Sequence, residues 1–282
     1  MFPIRIALST LAFSLSFSAC AVLGKKNPPN PETCTRVQNQ AYQVVLDSAK
    51  VSGTVLIFDP QSEQTFSNNF DYASMGFSPA STFKIPNTLI GLELGLLRSE
   101  DDVFQWDGVS RWNENWNQDL PLRDAFRFSC LPCYQQLARK IGYDNMQAWL
   151  EAFQYGNMDF DSSEIDQFWL TGKSKISCFQ QIQFLQQVQE KQLPVKSESR
   201  NTLLRVMLSD SSSEFELRGK TGWCTQDSID YLWYVGILEK GRKHYYVALQ
   251  VTPKPDIEAR NLATVRKEIA LECFRIQGFI KE

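Results

Sequence analysis

Segments that favour β-strands stand at the two ends of this chain, and helical patterns fill its middle. Near one end, residues 51–59 (VSGTVLIFD) are rich in β-branched and aromatic residues, and Thr65-Phe66 begins a possible partner strand. Near the other end, the apolar stretches 232–238 and 245–252 flank Glu239-Lys240-Gly241-Arg242, which is typical of a hairpin. Strands this far apart in sequence can share a core by meeting in one sheet.

Apolar residues between these strands recur at three- and four-residue steps, which predicts helices. One such series begins at Ser81 and continues through Leu97. Other helices are predicted at residues 35–50, 134–141, 145–153, 177–190, 197–207 and 259–277. The sequence therefore predicts a mixed α/β fold of the α+β type. In it, helices flank a central antiparallel sheet built from the two ends, and a helical subdomain of about residues 98–207 is inserted.

Length and charge narrow the class of protein. The chain has 282 residues, of which 43% are hydrophobic and 12% aromatic. This length and composition are typical of one medium-sized domain, or one domain with a large insertion, that has a substantial core. The net charge is -3, and no long basic stripe is present. A nucleic-acid partner and polybasic recruitment to a membrane are therefore not expected.

The first 21 residues read as an export signal. A short positive segment ends at Arg5, an apolar stretch runs from Ile6 to Ala19, and Ala19-Cys20-Ala21 offers a cleavage site. Lipoprotein processing at Cys20 is the less favoured alternative, because Phe17 fits it poorly. No later segment is long and apolar enough to span a membrane. We therefore expect a periplasmic protein whose single mature domain spans residues 22–282.

Six cysteines follow Cys20, and they allow 15 full disulfide pairings between which the sequence does not choose. Cys130 and Cys133 have the spacing of a redox motif or half a zinc motif. A second such pair is absent from the sequence, and the one histidine, His244, is far away. We therefore interpret both as small buried apolar side chains at the start of a helix, and we expect no metal site.

The segment Ser81-Thr82-Phe83-Lys84 carries the first chemical signal, because no other Ser-x-x-Lys occurs in the chain. Residues three apart on a helix share a face, so the Ser81 hydroxyl and the Lys84 amine should lie side by side. A serine hydroxyl needs an adjacent base to act as a nucleophile. Lys84 can be that base if its surroundings disfavour the ammonium form.

A second signal, Lys220-Thr221-Gly222, lies just before the predicted hairpin, with Trp223 after it. A lysine and a hydroxyl at a strand edge can hold an anionic substrate, and glycine lets a ligand approach the backbone. Ser-x-x-Lys together with Lys-Thr-Gly is typical of serine β-lactamases and penicillin-binding proteins.

The chain resembles the class D β-lactamases, or oxacillinases, over nearly its whole mature length, and the resemblance implies their β-lactamase/transpeptidase-like fold. Six elements appear in the family's order. They are Pro79 to Pro86 around Ser81, Ser129-Cys130-Leu131, Tyr155-Gly156-Asn157, Phe168 to Gly172 around Trp169, Lys220 to Trp223, and Arg260. No Ser-Asp-Asn is present in the sequence, which argues against class A.

This resemblance implies a role for each residue. Ser81 is the nucleophile, and Lys84 is carboxylated by carbon dioxide to N6-carboxylysine, a general base to which the Trp169 indole donates. Ser129 relays a proton to the leaving nitrogen. The oxyanion hole consists of the backbone N–H groups of Ser81 and Trp223. Substrate is bound by Leu131, Lys220, Thr221, Gly222 and Arg260, the last toward the carboxylate. Carbon dioxide or bicarbonate is needed for Lys84, and no other cofactor is implied.

One position departs from the family pattern. Leu131 stands where the family has valine, whose side chain packs over the catalytic lysine. Leucine keeps this environment apolar, but its longer side chain can change the access of water or carbon dioxide to Lys84. The rate of deacylation is the step that this departure affects.

Structural roles are the alternatives for several of these residues. Ser129 could be a helix N-cap, and Gly156 a helix C-cap. Trp169 could belong to the core, and Arg260 to the surface of the last helix, which also contains Arg266. We expect no catalytic role for His244.

Three functions are compatible with the sequence. The leading hypothesis is a hydrolase of cyclic amides that opens the β-lactam ring of penicillins, oxacillin-type ones included, as a monomer or homodimer. The second is a peptidase that acts on cell-wall D-Ala-D-Ala and deacylates slowly. The third is a β-lactam sensor domain, which the absence of further membrane-spanning segments in the sequence disfavours.

Overall fold

The computed structural model describes residues 28–255, 262 and 264–281, and the proposed export signal and Arg260 lie outside them. Nine strands occur in the described residues: β1 (Thr35–Gln38), β2 (Val51–Asp59), β3 (Gln64–Ser67), β4 (Val103–Phe104), β5 (Leu120–Pro121), β6 (Leu208–Ser211), β7 (Glu216–Gln226), β8 (Ile229–Lys240) and β9 (Lys243–Pro253). Seven of them form one sheet in the order β1-β3-β2-β9-β8-β7-β6, and β4 pairs with β5.

The pairing of β2 with β9 joins the two ends of the chain. These strands run antiparallel from Val51 opposite Pro253 to Phe58 opposite Tyr246. The hairpin of β8 and β9 closes between Lys240 and Lys243, where Gly241 takes the positive φ of 61° that a tight turn requires. The predicted central sheet, formed by both ends and flanked by helices, is therefore confirmed.

The edge strand β1 corrects the sequence prediction, which placed a helix over residues 35–50. Thr35–Gln38 instead pairs parallel with β3, and the helix begins only at Gln40. Asn39 separates the two elements, and its side chain accepts a hydrogen bond from the Ala41 N–H as an N-cap.

Nine α-helices occur in the same residues: α1 (Gln40–Ser48), α2 (Phe70–Ser74), α3 (Lys84–Glu93), α4 (Leu122–Arg127), α5 (Leu131–Ile141), α6 (Tyr143–Phe153), α7 (Cys178–Gln189), α8 (Ser197–Val206) and α9 (Val265–Ile276). Short 3₁₀ turns lie at Ala80–Phe83, Glu114–Trp116 and Ser162–Glu164. None of the described helices is long and apolar enough to cross a membrane.

The series predicted as one helix from Ser81 is interrupted at both ends. Ser81 lies in a 3₁₀ turn, and α-helical geometry begins at Lys84. Pro86 is the third residue of α3, where its missing N–H has no helical partner to lose. The helix ends at Glu93, so Leu94, Leu96 and Leu97 follow it.

The sheet separates two hydrophobic cores. Helices α1 and α9 cover one face, where Tyr42, Leu46, Ile269 and Phe274 pack against inward residues of β2, β8 and β9. The larger core on the other face contains α3, α5, α6 and α7, and the 3₁₀ turn of Ser81 packs there against β7. Helix α7 also packs directly on β9. The chemistry-bearing residues therefore converge on one face of the sheet.

Candidate active site

Ser81 and Lys84 are adjacent at the junction of the 3₁₀ turn with α3. The Lys84 ammonium or amine nitrogen lies 3.1 Å from the Ser81 hydroxyl oxygen. Ser81 is partly exposed, whereas Lys84 is only 1% exposed. The turn is held by the Ala80 N–H, which donates to the Trp169 carbonyl at 2.7 Å, and Ala80 adopts a positive φ of 50°. The partly exposed Ser81 therefore contacts a lysine side chain that is shielded from solvent.

Burial governs the protonation of Lys84. Loss of hydration disfavours the ammonium form and lowers the pKa of Lys84 from 10.5 to about 7. The nitrogen lies 5.0 Å from the centre of the Tyr134 ring, and the Thr88 hydroxyl bonds both the Lys84 carbonyl and the Tyr134 hydroxyl. Much of Lys84 is therefore neutral near pH 7, as a base requires.

Trp169 is buried beside this pair. Its ring stacks on Phe83, the neighbour of Lys84, at 5.1 Å and 12°. Its carbonyl accepts hydrogen bonds from the Ala80 N–H and the Ser78 hydroxyl. The indole N–H is buried without a hydrogen-bond partner among the described residues. A buried donor without an acceptor is costly, and this one is available for an acceptor that the described residues do not supply.

Ser129 lies in the short connection between α4 and α5. It has a positive φ of 54°, and the N-cap of α5 is Cys130, so the alternative role of Ser129 as N-cap is wrong. Leu131 is the first residue of α5 and packs, half-buried, against the same core as Lys84. Helix α5 is fastened to α3 where the Asn87 amide donates to the Tyr134 carbonyl at 3.3 Å.

The prediction that Cys130 and Cys133 are separate apolar side chains is also wrong. They lie at the start of α5 and are buried as expected, but they form a disulfide. Because they are three residues apart in the first turn of a helix, their sulfur atoms meet on one side of it. The described residues contain no cluster that could hold a metal ion.

Lys220, Thr221 and Gly222 lie on β7, facing the Ser81 turn. Lys220 is 5% exposed, and its nitrogen contacts the Thr221 carbonyl and hydroxyl oxygens at 3.2 and 3.3 Å. Burial lowers the pKa of Lys220 well below 10.5, and repulsion from Lys84 and Arg266 adds to this effect. The two site lysines are therefore close enough to influence each other.

Because Gly222 has no side chain, strand β7 can pack closely against the 3₁₀ turn of Ser81. A Cβ atom there would lie 3.2 Å from the Pro79 carbonyl oxygen and 3.2 Å from a methyl carbon of Thr82. A larger residue would therefore push β7 away from the turn that carries Ser81. The next residue, Trp223, is 41% exposed, and its indole donates to Asp230 at 3.0 Å.

Comparison with known proteins places this site in a family. A model of the penicillin-binding protein transpeptidase domain matches residues 29–274. β-Lactamase OXA-48 of Klebsiella pneumoniae is 35% identical over 97% of this chain and 100% of its own length. A class D β-lactamase structure from Sebaldella termitidis superposes with a TM-score of 0.83 at 32% identity, covering 88% of this chain and all of that one.

The chain belongs to the class D β-lactamase family. The predicted resemblance is thereby confirmed, as is the expectation of a β-lactamase-type hydrolase. A further structural relative is the C-terminal domain of the BlaR penicillin receptor of Bacillus licheniformis. It has a TM-score of 0.81 and 26% identity, and covers 88% of this chain and 98% of that one. That receptor domain therefore shares the architecture of this class D β-lactamase.

The Tyr155-Gly156-Asn157 element of this class D β-lactamase lies behind the site. Helix α6 ends at Phe153 and is capped by Gln154, so the alternative role of Gly156 as the cap is wrong. Gly156 instead lets the chain pass residue 175, because a Cβ there would lie 2.7 Å from the Lys175 carbonyl oxygen. Tyr155 is buried with its ring against Phe83, so this element packs against the 3₁₀ turn that contains Ser81.

Two residues of the site were not identified from the sequence. Arg266 had been considered only as a companion of Arg260 on a surface helix, yet it is buried and donates to the Gly222 carbonyl at 2.6 Å. Burial lowers the pKa of Arg266 to about 10. A signal existed: Arg266, Ile269, Ala270 and Cys273 share the three- and four-residue spacing of one buried stripe.

Gln181 is the second such residue. It is buried in α7, and its amide donates to the Thr82 hydroxyl at 2.8 Å within the Ser81 turn. A glutamine among the apolar residues of a predicted helix gives little indication of such a contact. His244 lies on β9, where its ring bonds the Gln189 amide at 2.9 Å.

Proposed function

We propose that this class D β-lactamase hydrolyses penicillins, oxacillin-type ones included, through an acyl-enzyme on Ser81 with carboxylated Lys84 as general base. The observation that carries the proposal is the 3.1 Å contact between the Lys84 nitrogen and the Ser81 hydroxyl in a site where Lys84 is buried. Nucleophile and base within hydrogen-bond reach are what acyl transfer requires.

Three features of the site support carboxylation of Lys84. Its pKa of about 7 supplies a neutral amine, whose nitrogen can bond the carbon of carbon dioxide and release one proton. The product is a carbamate anion in place of the amine. The buried and unpartnered indole N–H of Trp169, stacked beside Lys84 on Phe83, would gain an acceptor. The aromatic surroundings would keep bulk solvent from the new group.

The reaction would then proceed in two halves. The carbamate takes the Ser81 proton while the oxygen attacks the β-lactam carbonyl, and the backbone N–H groups of Ser81 and Trp223 receive the developing negative charge. Ser129 passes its hydroxyl proton to the leaving nitrogen as the amide bond breaks, and it takes in return the proton that the carbamate removed from Ser81, which regenerates the base. The same base next activates a water molecule, which releases the acid product and restores Ser81.

Recognition of the substrate would rest on the strand facing Ser81. Lys220 and Thr221 present a cation and a hydroxyl, Gly222 keeps the strand close, and Leu131 contributes an apolar wall. Arg260, which the structure does not describe, remains our proposal for the drug carboxylate, since its planar fork suits bidentate binding. We also propose export to the periplasm and action as a monomer or homodimer, with carbon dioxide as the one auxiliary reactant.

A β-lactam sensor or slow-deacylating peptidase is the second candidate. The likeness to the BlaR receptor domain and the match to a transpeptidase model support it. The two candidates differ in deacylation. A sensor holds the acyl group, whereas a β-lactamase turns over.

Benzylpenicillin turnover by the purified mature protein, with and without bicarbonate, distinguishes them. We expect multiple turnovers that become faster with bicarbonate, and none in Ser81→Ala. One stoichiometric burst without further hydrolysis would instead establish the sensor or peptidase. Turnover in Ser81→Ala at the wild-type rate would remove Ser81 as nucleophile.

A further inference from the structure

Helix α4 ends in the connection that contains Ser129, and a residue other than glycine takes the left-handed position after the helix. The Ser129 N–H donates to the Phe126 carbonyl and the Cys130 N–H to the Ala125 carbonyl, the two hydrogen bonds of a Schellman motif at the end of α4. In this motif glycine usually occupies the left-handed position, but here Ser129 does, with φ of 54°. The backbone at Ser129 therefore depends on its neighbours to hold it.

Cys130 is one of these neighbours, and it belongs to two elements at once. It closes the Schellman motif of α4, and it is the N-cap of α5, where its sulfur accepts the Cys133 N–H at 3.3 Å. The disulfide fixes the Cys130 side chain to Cys133 in the first turn of α5. Between them stands Leu131, which packs against the core that contains the site.

We propose that the Cys130–Cys133 disulfide positions the Ser129 hydroxyl for proton transfer, so that the acylation rate of this enzyme depends on the redox state of the bond. The inference rests on the proposed function, because it assigns Ser129 to the acylation half of the reaction. Cys130 and Cys133 are positioning residues, since they act through Ser129.

The bond can be opened by a dithiol reductant. Cys133 is 8% exposed and Cys130 is 0% exposed, so the reductant thiolate attacks the Cys133 sulfur. Cys130 leaves as a thiolate at the N-terminus of α5, where the Cys133 N–H and the helix dipole stabilise negative charge. The second thiol of the reductant then displaces Cys133. Two protein thiols and one cyclic disulfide result, and two electrons have passed to the protein.

Other described cysteines do not obscure this reaction. Cys34, Cys178, Cys224 and Cys273 are free thiols, which a reductant leaves as they are. Within the described part of the chain, reduction therefore changes this one bond. Oxidised and reduced wild-type protein form a matched pair that needs no substitution.

The test measures acylation and deacylation separately by rapid quench and mass spectrometry with benzylpenicillin. The protein is used before and after dithiothreitol treatment and desalting under argon. We expect reduction to slow acylation about ten-fold, because small misplacement of a reacting group is costly, up to about 100-fold. Deacylation should change by less than two-fold, and reoxidation should restore acylation. A general loosening of the fold would slow both halves.

Ser129→Ala provides the decisive control. If the disulfide acts through the Ser129 hydroxyl, reduction should leave the already slow acylation of Ser129→Ala unchanged. The same ten-fold loss in that variant, or no loss in wild type, would overturn the inference. If Cys130→Ser/Cys133→Ser folds, it should match the reduced wild type. If oxidised wild type neither forms an acyl-enzyme nor hydrolyses benzylpenicillin, the proposed function is rejected instead, so the two failures are distinguishable.

Discussion

Two buried lysines come to the site from different layers of the molecule. Lys84 opens helix α3 and contacts the Ser81 hydroxyl and the Tyr134 ring, whereas Lys220 lies on strand β7 and contacts the Thr221 oxygens. Both are at most 5% exposed, and burial lowers the pKa of both. Burial alone therefore does not distinguish the two lysines, whereas their neighbouring groups do.

The electrostatic interaction between Lys84 and Lys220 is a second way in which the two lysines differ. Positive charge on Lys84 lowers the pKa of Lys220 further, as does Arg266. If Lys84 became a carbamate, its charge would change sign, and it would attract a proton to Lys220 instead of repelling one. The proposed modification would thus create both an anionic base and a cationic substrate contact from two similar residues.

Lys84→Ala should have the largest effect. Without the base, we expect kcat to fall about 1,000-fold, within the range of about 100- to 10,000-fold for general base catalysis. Any acyl-enzyme that forms should persist, which mass spectrometry would reveal. Lys254→Ala is the control, because Lys254 pairs with Asp47 on α1 and should leave the kinetics unchanged. Normal deacylation in Lys84→Ala would remove Lys84 as the base.

Lys220→Ala should have a smaller effect of another kind. A hydrogen bond to a charged group contributes about 1.5–3 kcal/mol, so loss of the contact with an anionic substrate should lower kcat/KM by roughly 10- to 100-fold. The acyl-enzyme should not accumulate, in contrast to Lys84→Ala. If Lys220→Ala trapped an acyl-enzyme as Lys84→Ala is expected to, the distinction between the two lysines would be lost.

The sequence predicted the parts of this comparison that depend on local pattern. Stretches of β-branched, aromatic and apolar residues located β2, β8 and β9, and the spacing of Ser81 and Lys84 placed their side chains together. It mispredicted β1, because Thr35–Gln38 is a short, mostly exposed strand without apolar periodicity. What makes β1 a strand is its pairing with β3, which lies about thirty residues further along the chain.

Long-range packing explains the remaining errors. The close approach of Gly222 to Pro79 holds β7, which carries Lys220, against the turn of Ser81, and no local pattern contains this contact. The 3₁₀ geometry at Ser81 depends on the Trp169 carbonyl, which is 89 residues from Ala80 and bonds its N–H. The Cys130–Cys133 bond was mispredicted as apolar packing, because the spacing alone fits a redox pair, a metal half-site and apolar packing equally.

Trp169→Phe tests the surroundings of Lys84 and not those of Lys220. A phenyl ring keeps the stacking on Phe83 but removes the unpartnered N–H. A hydrogen bond contributes about 0.5–1.5 kcal/mol, so we expect up to about ten-fold lower kcat in air, largely restored by bicarbonate. Trp233→Phe is the matched control, because Trp233 is equally buried but its N–H already donates to the Ser78 carbonyl. An equal bicarbonate response in both variants would contradict the assignment.

The pH dependence of turnover should show the smallest effect and follows from Lys84 alone. With its pKa lowered to about 7, the amine is mostly neutral at pH 8 and mostly ammonium at pH 6, and only the neutral form adds carbon dioxide. The neutral fraction falls about ten-fold over this interval. Carboxylation also releases one proton, so at a fixed concentration of dissolved carbon dioxide the higher proton concentration at pH 6 disfavours the carbamate further. Because a nearly saturated carbamate at pH 8 buffers this loss, we expect kcat to fall about five-fold from pH 8 to pH 6 and to recover when bicarbonate is added at pH 6. The lowered pKa of Lys84 also destabilises the folded protein progressively as pH falls from 10.5 to about 7. In this range Lys84 binds a proton in the unfolded chain but not in the folded one. A fall in kcat at pH 6 that bicarbonate does not reverse would assign the titration to another group and leave the base role of Lys84 without this support.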